Sequence, residues 1–190
     1  LLSTYSVNLI IIGVGTAVFS TSFRNIDYSL GAFTFGPINV TGNRLGAALV
    51  ALLVTALLYL FLYRTRQGKY IRAVANNRSA AELMGIASVR TLALAFGIGT
   101  MLAAVSGGLI AISLPFTILS GGVYELKSFV IVVLGGLGNP LGALVGGVIL
   151  GLIEGVVPVF MNTSLVPVFE FVLFIVILLV MPQGLFGAKK

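Results

Sequence analysis

The chain has 190 residues, 58% of them hydrophobic and 8% charged, with a formal net charge of +6. Soluble domains carry about 25% charged residues, so this composition belongs to a polytopic membrane protein, and membrane orientation accounts for the basic excess without nucleic acid. Cysteine and histidine are absent and only five carboxylates are scattered along the length, which excludes disulfides, thiolate metal sites and any convincing acid/base constellation; no cofactor is expected and the chain reads as a non-enzyme.

A spanning helix needs about 20 apolar residues. Leu1–Ser22 meets that length, with Asn8 as its one strongly polar interior side chain. No basic n-region or small-residue cleavage site accompanies it, so it is not a signal peptide, and the chain reads as lacking earlier spans. Phe23–Asn43 follows as a loop whose tail, FTFGPINVTGN, alternates apolar and polar residues around Gly36-Pro37 and predicts a small hairpin. Arg44–Tyr63 is the next span, then comes the polar interruption Arg64–Arg90, then a span over Thr91–Leu114 ended by Pro115. Phe116–Tyr124 reads as a glycine-containing loop. Glu125–Leu137 is apolar after its charged start but only 13 residues long. The cluster GGLGNP at Gly135–Pro140 forms a turn, Leu141–Phe160 and Val166–Met181 are further spans, and Pro182-Gln183-Gly184 stops the last. The fold class expected is all-α: one polytopic transmembrane helical bundle over 1–190 with about six membrane segments.

The interruption Arg64–Arg90 holds six of the eleven basic residues and one of the five acidic ones. The positive-inside rule places it in the cytoplasm and puts 23–43 and 115–124 outside. If Glu125–Leu137 crosses as a short helix shielded by its neighbours, Lys189 and Lys190 also end in the cytoplasm, and the charge bias favours that crossing. Inside the interruption, Ser79-Ala80-Ala81-Glu82 matches a capping box and Gly85 can end a short helix in the left-handed conformation. Leu83 and Met84 then lie on its apolar side, behind a polar break at Asn76, Asn77 and Arg78. An ordinary basic loop explains the arginines but not a capped helix bearing apolar residues; a docking surface explains both.

Ionisable residues at membrane depth cost about 2.5–3.5 kcal/mol each and need partners or a wet cavity. Glu154 and Glu170 fall inside spans, and Glu125 and Lys127 at the entry of the short helix. Two readings stand side by side: a structural ion pair around Lys127, or an outer vestibule lined by Lys127, Glu154 and Glu170. Gly147, Gly151 and Gly155, and likewise Gly138, Gly142 and Gly146, recur every four residues and read as helix-packing stripes.

Three stretches carry a family resemblance. GKYIRAVANNRSAAELMGI at Gly68–Ile86 resembles the cytoplasmic coupling loop of permease subunits from branched-chain amino acid ABC importers. LKSFVIVVLGGLGNPLGALVGGVILGLIE at Leu126–Glu154 is similar to their second signature, and PQGLFG at Pro182–Gly187 resembles their C-terminus. The Arg72–Ile86 form and the context of Lys127 look more like the "H" type of high-affinity leucine, isoleucine and valine uptake. The resemblance implies a prokaryotic inner-membrane permease that moves hydrophobic amino acids inward. Its implied partners are two ABC ATPase subunits, a homologous second permease or second copy, and an extracytoplasmic solute-binding protein. GxxxxGK[ST] is absent from the chain, consistent with ATP hydrolysis in a separate subunit. By the same resemblance, Arg72, Asn77, Glu82 and Gly85 are the residues of ATPase coupling. Relatives in the broad family that carry urea, short amides or sugars are the nearest rival reading, and an ion-coupled secondary transporter using Glu154 and Glu170 is the rival from another class.

Overall fold

The computed structural model describes residues 2–26, 31–35, 38–136, 138–181 and 183–186. Eight α-helices and one two-stranded hairpin appear among them, and the chain divides into two units: Leu1–Val18 with Ile118–Lys190, and Phe19–Thr117. Four helical stretches are long and apolar enough to cross a membrane: Gly42–Arg64, Ser88–Ser113, Pro140–Phe160 and Thr163–Val180.

In the first unit, α1 (Leu2–Phe19) is a shorter apolar helix. Helix α6 (Ser120–Gly135) begins five residues before the expected Glu125, so part of Phe116–Tyr124 is helix and not loop. Gly121-Gly122 gives that stretch the look of a loop, but the helix runs through both glycines. Its 16 residues span roughly 24 Å, less than a hydrocarbon core of about 30 Å. Helix α7 (Pro140–Phe160) starts at its capping residue Asn139, whose Oδ1 accepts from Leu141 N at 3.1 Å and Gly142 N at 3.4 Å. Proline at the first helical position costs nothing there. A 3₁₀ turn at Thr163–Leu165 leads into α8 (Val166–Val180).

Helices α6 and α7 form an antiparallel pair whose register can be followed through glycines. A Cβ on Gly142 would stand 2.0 Å from Gly135 O, and one on Gly146 would stand 2.8 Å from Ile131 O. Lipid tails are as apolar as leucine, so close backbone approach, not a hydrophobic drive, holds such helices together. Leu134 is fully buried at this seam, with Val130 and Leu150 close to it in burial. Gly142 and Gly146 are therefore packing glycines as expected, whereas Gly138 lies outside the helix at φ +86° and serves the turn. The second stripe differs from expectation: Gly147 reaches only Ile131 Cγ2 at 4.0 Å, and Gly151 and Gly155 have nothing within 4 Å. The tail then folds back on the turn. Leu185 N donates to Leu134 O at 2.9 Å and Phe186 N to Gly135 O at 3.2 Å, which satisfies the last carbonyls of α6.

In the second unit, β1 (Ala32–Phe35) pairs antiparallel with β2 (Ile38–Thr41) in the register Phe35↔Ile38, the hairpin expected around Gly36-Pro37. Residues 36 and 37 themselves lie outside the described residues. Helix α2 (Gly42–Arg64) follows directly, and its Asn43 Nδ2 donates to Ile112 O, 3.3 Å away near the end of α5 (Ser88–Ser113). Between α2 and α5, Arg64–Arg90 contains two helices and not one: α3 (Arg66–Asn76) and α4 (Arg78–Leu83).

Candidate functional site

The corner between α2 and α3 is built from Thr65 and Gly68. The Thr65 hydroxyl donates to Phe61 O at 2.7 Å and accepts from Gly68 N at 3.0 Å, ending one helix and capping the next. A Cβ on Gly68 would stand 2.3 Å from Phe61 O, so only glycine lets α3 fold this closely against α2. Arg72 fixes the same corner: its Nε donates to Leu62 O at 3.1 Å and its guanidinium lies 4.2 Å from the centroid of the Tyr63 ring. A cation at the last carbonyls of α2 also complements that helix's dipole.

Asn77 separates α3 from α4 in an extended conformation, and its Oδ1 accepts from Ala80 N at 3.0 Å. It is therefore Asn77, not Ser79, that caps α4, and the capping box expected at Ser79–Glu82 does not form. An asparagine one residue before the first helical turn supplies the acceptor that Ser79, already inside the helix, cannot supply. The exit follows the expectation for Gly85. At φ +82° it closes a Schellman motif, with Gly85 N donating to Glu82 O at 2.9 Å and Ile86 N to Ala81 O at 3.1 Å.

Freed from the capping role, Glu82 accepts from Arg78 Nε at 3.0 Å and from the hydroxyl of Ser88, the buried first residue of α5. The Ser88 hydroxyl, and after it Arg78, hold the Glu82 carboxyl below its ordinary range. Ala81 and Val74 are buried beneath, while Leu83 and Met84 are 89% and 83% exposed. The four residues assigned to coupling thus have distinct places: Arg72 clamps α3 to α2, Asn77 caps α4, Gly85 ends it, and Glu82 ties it to α5. Sequence reading passed over Thr65, Gly68 and Ser88. A threonine three residues before a glycine was the signal for the first two, whereas the Glu82–Ser88 contact exists only because the chain reverses at Gly85.

In the other unit Lys127, Glu154 and Glu170 meet. Lys127 of α6 donates to Glu154 of α7 and stands 3.5 Å from Glu170 Oε1 of α8. Continued from the Gly135–Gly142 and Ile131–Gly146 contacts, the antiparallel register sets Lys127 across from Leu150, and the long lysine side chain reaches one turn further to Glu154. Glu170 is 5% exposed and its Oε1 accepts no hydrogen bond among the described residues. Pro158, four residues beyond Glu154, has no N–H to give to the Glu154 carbonyl, so the helix backbone is also less satisfied here. Lys127 and Glu170 line a cavity of about 230 Å³ with Val123, Leu126, Val130 and Phe171. Among the described residues, no group of His, Cys, Asp and Glu is placed to hold a metal ion.

Comparison with known proteins bears directly on what these apolar helices and this folded basic segment belong to. The profile of the family described as branched-chain amino acid transport system / permease component matches residues 1–181. This chain belongs to that family. It is similar to the high-affinity branched-chain amino acid transport system permease protein LivH of Escherichia coli K12, at 37% identity over 75% of this chain and 46% of the relative. The corresponding protein BraD of Pseudomonas aeruginosa is 32% identical over 84% of this chain and 54% of its own length. A probable branched-chain amino acid transport permease protein LivH of Methanocaldococcus jannaschii is 28% identical over 98% of this chain and 63% of its own length. The permease chain therefore spans about half the length of the first two relatives. No solved structure gives a significant match. With four helices able to span a bilayer, the permease is an all-α, multi-pass membrane protein of a transport family.

Proposed function

We propose that this chain is part of the membrane-spanning permease of an ATP-driven importer that carries branched-chain amino acids across a prokaryotic inner membrane. Two ABC-type ATPases, a second permease subunit or second copy, and an extracytoplasmic binding protein complete the assembly, and Arg64–Arg90 faces the cytoplasm. The observation that carries this reading is α4: a helix capped at both ends, seated through buried Ala81, that nevertheless turns Leu83 and Met84 outward on a basic segment. Exposed apolar side chains on a rigid, charged surface mark a protein contact.

On this reading α4 seats in a groove of the ATPase. Its displacement passes to α5 through Glu82 and Ser88, and to α2 through Asn77, α3 and the Arg72 clamp. Nucleotide-driven closure then biases two arrangements of the spans, which is the differential contact that alternating access needs. On the same reading Lys127, Glu154 and Glu170 lie toward the outer side, either as a structural ion cluster or as the lining of an outer vestibule.

The test uses the assembled transporter. Leu83→Ser with Met84→Ser alters two strongly exposed side chains, so membrane insertion stays at the parental level while affinity for the ATPase falls more than about ten-fold. Parental affinity in that variant would remove α4 from the interface. Glu82→Lys sharpens the result: it removes the acceptor of Ser88 and Arg78, so insertion persists while ATP hydrolysis continues without uptake. Normal uptake by Glu82→Lys would count against transmission through the α4–α5 corner.

A further inference from the structure

Two cavities lie in sequence along one face of α5, the first of them bordered by Met84 and Gly85, and the coupling reading uses neither the Arg90 guanidinium nor the apolar slot beyond it. Arg90, Leu94, Ile98 and Leu102 follow one another at four-residue intervals, so they form a single row on that helix. The first cavity, about 470 Å³, is lined by Arg90 and Leu94 together with Gln67 and Tyr70 of α3 and the turn at Met84–Ala87. The second, about 330 Å³, begins one turn further at Ile98 and continues past Leu102 to Val105. Its other wall is Val54, Leu57, Leu58 and Phe61 of α2, at the i, i+3, i+4, i+7 spacing of one helix face. The row therefore changes from a polar mouth with a guanidinium to a wholly apolar slot between two helices long enough to span a bilayer.

The charge around the mouth is one-sided. Arg64, Arg66, Lys69, Arg72, Arg78 and Arg90 face a single acidic residue, Glu82, in this stretch of sequence. Arg78 is paired with Glu82 and Arg72 is held by the end of α2, whereas Arg90 enters no ion pair among the described residues. An occupant must match both halves: an anion at Arg90, with amide and phenol groups beside it, and an alkyl chain running along Ile98 and Leu102. A free amino acid has no chain of that reach, and a soluble protein does not enter between spans. We propose that the α2–α5 slot with its Arg90 mouth is a binding site for an anionic phospholipid of the leaflet on the basic side. Basic pockets between spans at a membrane face recognise such headgroups, each nearby cation adding to the affinity. The site holds α2 and α5 together on the side where α3 and α4 emerge, and it does not depend on which solute is carried.

The experiment uses the permease in its native assembly, in nanodiscs of phosphatidylcholine doped with phosphatidylglycerol bearing a photoactivatable group on its acyl chain. Label is expected on 91–105 above that on the equally apolar α8, which offers no cation. Excess unlabelled phosphatidylglycerol should displace it and phosphatidylcholine should not. Arg90→Gln should lower labelling of α5 about five-fold, the value of one cation at a headgroup. Ile98→Trp, which fills the slot, should lower it while leaving the mouth intact. Equal labelling by a phosphatidylcholine probe would overturn the proposal even if neither variant folds. So would a slot that takes no label in the assembly, because a protein helix would then occupy it.

Discussion

Lys127 sits between Glu154 and Glu170, and Gly135 lies backbone to backbone against Gly142, so the α6–α7–α8 unit turns its polar and small residues toward one another. The basic segment meets its internal demands as thoroughly, through Thr65, Asn77, Gly85 and the Glu82–Ser88 contact, yet leaves Leu83 and Met84 outside. Polar groups satisfied from within identify architecture. Apolar groups left out of an otherwise complete small structure are what the proposed docking surface rests on. The two regions therefore respond to substitution differently: changes in the first unit register as stability, and changes at α4 register as association.

Lys127→Met gives the largest effect. It strands two carboxylates, one of them buried, and breaking such a cluster from one side costs roughly 3–5 kcal/mol. Unfolding in mixed micelles measures it. Replacing all three residues with apolar ones of similar size (Lys127→Met, Glu154→Leu, Glu170→Leu) recovers most of that loss, since an apolar core substitutes well for a complete buried ion cluster. Uptake by the triple variant then separates the two readings of the cluster. Restored transport makes it a structural pin, and a stable but inactive permease makes it part of the solute's route.

Glycine substitutions come next. Gly135→Ala places a Cβ 2.2 Å from the Gly142 carbonyl carbon, and the helices must separate to admit it. A loss of about 3 kcal/mol is expected, at the upper end of overpacking. Gly151→Ala, with nothing within 4 Å, should change stability by less than about 0.5 kcal/mol. A large effect of Gly151→Ala in the assembled transporter but not in the isolated permease would show that another helix covers that stripe.

The contrast between these glycines shows what sequence conveys and what it omits. Four of the six expected membrane segments, their order and the pairing of Ala32–Phe35 with Ile38–Thr41 are legible because apolar length and turn chemistry are local properties. Gly85 is legible for the same reason: only a left-handed position needs it. The stripe Gly147–Gly151–Gly155 has the same spacing as the packed glycines, but the neighbour that would cover it is a matter of tertiary placement. Helix α3 was hidden because its charged residues resemble any basic loop, while its buried face is only Gly68 and Val74. The start of α6 was hidden by Gly121-Gly122. For the ion cluster, composition supplied three candidates at membrane depth, and only the antiparallel register of α6 and α7 brings them together. At α4, Ser79–Glu82 fits a capping box in spacing, yet Asn77 reaches the free amide first and releases Glu82 for Ser88.

That release has a pH signature, the smallest of these effects and the most local. The Glu82 carboxyl is held below its ordinary range, first by the Ser88 hydroxyl and then by Arg78. A depressed carboxylate stabilises the folded corner above the unfolded-state pKa, and the contribution disappears as pH falls through the folded one. The α4–α5 corner should therefore be insensitive to pH from neutrality down to the ordinary carboxylate range, loosen progressively as pH falls from there, and level off below the folded-state value, as followed by hydrogen exchange at Ile86–Arg90. Ser88→Ala removes the larger of the two causes, so the carboxyl resonance of Glu82 should titrate at higher pH, and the pH-dependent loosening should become smaller and end at a higher pH. Arg78→Gln should move both by less. If Arg78→Gln shifts the midpoint more than Ser88→Ala, the exposed ion pair governs Glu82, and the link from α4 to α5 is too weak to carry motion between them.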